Sequence, residues 1–60
     1  MKVYTFGMYE YGGRLVEVKI IAEDMPEALR KARLITENCR EVFDIDEGIH
    51  LNDVEEYKEA

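Results

Sequence analysis

Sixty residues with a net charge of −6, a single cysteine and neither serine nor glutamine bound what this chain is. A chain of that length buries only about 60% of the surface its unfolded form exposes, so one thin core in a single domain, residues 1–60, is expected, of the kind that leans on a metal or a partner subunit for stability. With Cys39 alone, an internal disulfide is excluded, and a lone thiol favours a reducing, cytoplasmic setting.

Along the chain, Met1 to Phe6 lacks the apolar run of a signal peptide, and no stretch approaches the roughly 18 apolar residues of a membrane span. Residues 2–10 alternate, with Tyr4, Phe6 and Met8 on one face, and residues 14–22 alternate with Val16, Val18 and Ile20 on one face, which predicts two strands. Between them a two-residue Gly12-Gly13 loop would set Phe6 on the face opposite Val18. A three-residue loop, Tyr11-Gly12-Gly13, pairs 8 with 16, 6 with 18 and 4 with 20, and so gathers the large apolar groups on one side. That register is the expected one.

Asp24 then offers a helix cap, with Glu27 three residues on as its reciprocal partner and Pro26 in the first turn. At about 100° per residue, Met25, Ala28, Leu29, Ala32, Ile35, Thr36 and Cys39 share one face, predicting an amphipathic helix over about 25–38. Leu34 falls on its far side. Residues 41–46 alternate again, which predicts a third strand with Phe43 and Ile45 inward and Gly48 ending it. In the acidic segment 49–60, Asn52 followed by Glu55 reads as a second capping pair and predicts a short terminal helix carrying Val54 and Tyr57. Strand, strand, helix, strand is an α+β two-layer sandwich, with one helix on a small antiparallel sheet of spatial order 2-1-3.

The charge is unevenly distributed. Residues 1–39 carry six basic and six acidic side chains, whereas residues 40–60 carry two basic and eight acidic ones. Such a block repels phosphate backbones and is drawn to basic surfaces.

Reactive side chains are few: one His, one Cys and two Thr. Cys39 lies on the helix's apolar face, where a free cysteine behaves as a small buried hydrophobe, and His50 reads as a surface or rim residue with nothing to orient it as a base. No catalytic residue, metal site or cofactor is expected. The run Asp44-Ile45-Asp46-Glu47-Gly48, with Glu55 twelfth, has the outline of a calcium loop, but Gly48 and Ile49 occupy the positions that need a ligand and a glycine.

Surfaces are more informative. The second face of the hairpin carries Val3, Tyr9, Tyr11, Leu15, Lys19 and Ile21, and Gly7 leaves a gap in it that admits another backbone. Tyrosines on a sheet face stack bases, yet the domain has no basic excess to offset phosphates. A contiguous apolar patch more often means a protein partner. The order of strand, glycine turn and strand, followed by Ala22-Glu23-Asp24 leading into a helix with Glu27-Ala28-Leu29, resembles many small bacterial and phage proteins over residues 2–35, including the core of HicB-type antitoxins. The glycine-rich first strand of that family and its proline-containing segment before the helix are absent here, so membership is not assigned. In overall character, short, acidic and without catalytic groups, the chain is similar to phage-encoded inhibitors of host nucleic-acid-handling machinery, an analogy of character and not of motif.

The expectation is therefore a non-enzymatic protein-binding module. Its contact residues are Tyr9, Tyr11, Leu15 and Leu34 together with Asp44, Asp46, Asp53, Glu55 and Glu56, and its partner is a protein with a basic surface. A homodimer is the rival reading, and single-stranded nucleic acid on the tyrosine face is the third.

Overall fold

Two eight-residue strands, β1 (Lys2–Tyr9) and β2 (Leu15–Ala22), form the hairpin, and the helix α1 (Met25–Asn38) follows directly. A 3₁₀ turn at Ile45–Glu47 leads into a third strand, β3 (Ile49–Glu56). This computed structural model describes residues 1–58, with Ile45 described by its backbone alone. All three strands lie in one antiparallel sheet in the order β2-β1-β3. The α+β architecture with element order β-β-α-β is as the sequence predicts.

The hairpin adopts the three-residue loop. Met8 pairs with Val16, Phe6 with Val18 and Tyr4 with Ile20, while Glu10 N–H donates to the Arg14 carbonyl at 2.8 Å and Gly13 N–H to the Glu10 carbonyl at 3.0 Å. Gly12 and Gly13 both have positive φ, 100° and 92°, a region that favours glycine. The result is one face bearing Tyr4, Phe6, Met8, Val16, Val18 and Ile20 together. Phe6 and Met8 are the largest fully buried side chains, and Tyr4 and Phe6 stack with ring centroids 6.4 Å apart.

The helix is capped as expected at its first turn. Glu27 N–H donates to Asp24 Oδ1 at 3.0 Å. The return bond to the Glu27 carboxylate is donated by Glu23 N–H, at 3.3 Å to Oε2, rather than by the cap residue itself. Ala28, Ala32 and Thr36 are the buried positions of α1. Their small side chains let the helix approach the sheet, with Leu29, Ile35 and Cys39 packing around them at the rim of the core.

The helix packs mainly on β2 and β1, and of β3 it is Ile49 that packs against the core. On the β2 side, Lys31 Nζ donates to the Ile21 carbonyl at 2.9 Å and lies 3.1 Å from Glu27 Oε1.

The third strand stands elsewhere than expected. After the helix, Val42 and Phe43 N–H both donate to the Cys39 carbonyl at 2.9 Å, and Asp46 N–H donates to Asp44 Oδ1 at 3.1 Å. Most of the backbone donors that a strand at 41–46 would send to a neighbour are thus taken by local turns, and the pairing that remains is Asp44 N–H to the Tyr9 carbonyl at 2.8 Å and Tyr11 N–H to the Val42 carbonyl at 3.1 Å. Phe43 does reach the core, through a single bridge to Glu10, whereas the inward placement expected for Ile45 falls outside the described side chains.

The true third strand occupies 49–56, where a terminal helix was expected. Its register against β1 shifts between Thr5 and Phe6: Leu51 pairs with Phe6 and Asp53 with Thr5. Asn52 is thus an extra residue, a β-bulge. Because paired residues share a face, the bulge keeps Ile49, Leu51 and Val54 together on the helix side, opposite Met8, Phe6 and Tyr4. Asp53 and Glu55 fall on the outer face.

Candidate protein-binding surfaces

Two surfaces bear on function: the outer sheet face and the edge formed by β3. On the outer face Tyr11 is 60% exposed and Leu15 47% exposed, beside the glycine turn, and Ile21 is exposed at the other end of β2. Tyr9 is only half-exposed, because its ring meets His50 edge-on with centroids 5.7 Å apart. It therefore does not join Tyr11 and Leu15 as a third fully exposed member of one cluster.

Gly7 explains the middle of this face differently from the expected approach by another backbone. A Cβ there would sit 3.0 Å from Asn52 Nδ2 and 3.1 Å from Leu15 Cδ1, so the space is occupied by the chain's own side chains. Asn52 Nδ2 in turn donates to Glu17 Oε2 at 3.3 Å. A polar band of Glu17, Asn52, Lys19 and Asp53 thus divides the apolar residues at the turn from Ile21. Carboxylates on the same face as the tyrosines oppose a phosphate backbone at close range.

The β3 edge gathers the acids. Asp44 and Asp46 occupy the turn leading into it, Asp53 and Glu55 its outer face, and Glu56 the helix side near its end. The ion pairs among the described residues are Arg14–Glu10 and Lys31–Glu27, and neither involves these acids. None of the five forms an ion pair among the described residues, although Glu56 stands across the ladder from Lys2, and along one edge their potentials add.

On the helix side of the same strand the apolar cover runs out. Leu51 is 45% and Val54 41% exposed, although they pair with Phe6 and Tyr4, which are buried. The cause is the helix placement over β2 and β1. A groove of about 320 Å³ opens between helix and strand, lined by Leu29, Arg33, Thr36, Glu37, Gly48 and Ile49. A shallower depression continues over the helix past Leu29 and Arg33 to Leu34, which is half-exposed.

Leu51, Val54 and Ile49 are the residues that sequence reasoning missed as a surface. Their spacing, two and then three, was the available signal, since it matches a strand once one bulge residue is allowed.

The chemistry-bearing side chains do not converge. Cys39 caps the C-terminal end of the helix on the core side, and His50 pairs with Gly7 and packs on Tyr9 on the outer face, so the sheet lies between them. Among the described residues no group of three or more His, Cys, Asp or Glu side chains is placed to hold a metal ion, and no helix is long and apolar enough to cross a membrane. Glu27 has its carboxyl held below the ordinary range, first by the hydrogen bond from Lys31 and next by that from Glu23 N–H, an arrangement that fastens the helix start and touches neither surface. No protein-family model, curated protein or solved structure matches the chain, so its own geometry is the basis for a functional reading.

Proposed function

We propose that this chain is a non-enzymatic protein-binding module that engages a basic surface on its partner through the acidic side formed by β3 and the turn before it. The observation that carries this reading is the row of Asp44, Asp46, Asp53, Glu55 and Glu56, none of which forms an ion pair among the described residues. Unneutralised carboxylates on one side repel each other, and a basic partner relieves that repulsion on binding. A phosphate-binding site on a nucleic-acid-handling protein is a surface of this kind. Occupying it would make the chain an inhibitor, and the lone thiol of Cys39 fits a cytoplasmic place for that encounter.

The test is kinetic. With the partner captured from the source cell, association with the wild-type chain should slow steeply as salt rises, because long-range charge acts mainly on the encounter rate. A variant with all five acids changed to Asn or Gln should associate more slowly and with a flatter salt dependence. Equal rates for the two chains at every salt concentration would remove the reading.

A second reading, self-association, is favoured by the exposure of Tyr11 and Leu15 side by side at the hairpin end. In that case the protein sediments as a dimer at micromolar concentration, and Tyr9→Lys with Leu15→Lys makes it monomeric while leaving the fold intact by circular dichroism.

A further inference from the structure

We infer that the partner enters as a fourth strand: an extended segment alternating apolar and basic side chains adds to the open edge of β3. This rests on the protein-binding reading above and specifies its mode. Three features of β3 converge on it.

The first is the backbone. Tyr57 N–H donates to the Met1 carbonyl at 3.1 Å, and antiparallel ladders alternate between bonded and non-bonded pairs. On that alternation, which the extra residue Asn52 shifts by one, the N–H and C=O groups of Leu51, Val54 and Glu56 point away from β1, toward the open side. An edge strand with a row of unpaired groups is a template for strand addition.

The second is the apolar strip. A strand laid beside β3 places every other side chain over Leu51 and Val54, and into the groove between Ile49 and Leu29 that the helix leaves uncovered. The third is charge. The intervening side chains of that strand would lie beside Asp53 and Glu55 on the outer face, where opposite charges are stabilising and like charges are not.

Charge also decides between occupants. A second copy pairing β3 with β3 would crowd two sets of Asp53, Glu55 and Glu56 across one seam, so a foreign basic segment is the better fit. The other free edge, β2, is less available, since Lys31 already occupies the outward carbonyl of Ile21.

The experiment uses the full 60-residue chain and a display library of random twelve-residue peptides. Enriched peptides should alternate basic and apolar residues, and a synthetic peptide of the enriched sequence should slow hydrogen exchange at the Leu51 and Val54 amides while leaving Lys19 on β2 unchanged. Chemical synthesis allows the Val54 amide to be N-methylated, which removes one edge donor and no ladder bond; binding should weaken about tenfold or more, with N-methylation at Lys19 as the control.

Basic peptides that bind without slowing exchange at Leu51 and Val54 would overturn strand addition and leave the acidic-surface reading standing. If enriched peptides carry no basic residues, or none are enriched, both fail. Edge amides in the free protein that become protected with rising concentration would assign the edge to a second copy and overturn the inference. Should N-methyl-Val54 not fold, the exchange measurement on the unmodified chain decides.

Discussion

The two outer strands of this sheet are equal in length and flank the same central strand, yet they are treated in opposite ways. β2 has its inner face covered by α1, its Ile20 and Ala22 buried, and an outward carbonyl held by Lys31. β3 has no such cover, and every residue from His50 to Glu56 is exposed. Natural sheets guard their edges with covering helices, lysines, bulges and charges; here the helix and the lysine stand on the β2 side, and the bulge and the acids on β3. The difference separates a covered edge from an open one, and the proposed partner strand is placed on the open one.

The sharpest way to break the comparison is to cut apolar groups from one face on its two sides. Phe6 and Leu51 pair directly, but Phe6 is 1% exposed and Leu51 45%. Phe6→Ala should remove about 3–5 kcal/mol, close to the whole stability of so small a core, and leave the chain largely unfolded by circular dichroism. Leu51→Ala should cost only about 1 kcal/mol. Similar melting of the two variants would mean that β3 is as buried as β1 in solution.

Loosening the helix that covers β2 comes next. Asp24→Ala removes the acceptor for Glu27 N–H and should lower stability by about 1 kcal/mol in denaturant titration. Lys31→Met should cost less than that, but it opens the Ile21 carbonyl. Faster hydrogen exchange at the β2 end is the readout, and an unchanged rate would show that the lysine does not guard that edge.

The smallest effect is that of pH. Because the Glu27 carboxyl is lowered in the folded chain by Lys31 and Glu23 N–H, the unfolded chain binds its proton at higher pH than the folded one. Its contribution is therefore present above the ordinary glutamate range and is lost as pH falls through the lowered folded value. Glu27→Gln should flatten that part of the stability profile and leave neutral-pH binding untouched.

The first 38 residues were legible because each local signal agreed with the next. Alternation in both strands, the demand that Phe6 face with Val18, two glycines at the turn, and the Asp24 cap with its apolar stripe all point to one arrangement. Past Asn38 the signals conflict. Val42 and Asp44 alternate as a strand would, yet pairing stops at one bridge: Asp44 N–H reaches the Tyr9 carbonyl, while the Val42 and Phe43 donors turn back to Cys39. Asn52 and Glu55 have helix-capping spacing, but the pair belongs to a bulged strand. The acids of the candidate surface could be counted in the sequence. Their alignment on one edge could not, since it depends on where β3 pairs.

The bulge carries a consequence for chain length. In a regular strand, losing one residue turns every later side chain to the opposite face. Asn52 is the residue without a partner on β1, flanked by Leu51 opposite Phe6 and Asp53 opposite Thr5. A chain lacking Asn52 can keep both pairings and every side chain beyond them on its present face, forfeiting the hydrogen bond to Glu17 and clearing the space above Gly7. Deletion of this one residue should melt within a few degrees of wild type, whereas deletion of Val54, which turns the residues beyond it to the opposite face, should melt lower; position 52 is where the length of this strand is most free to vary.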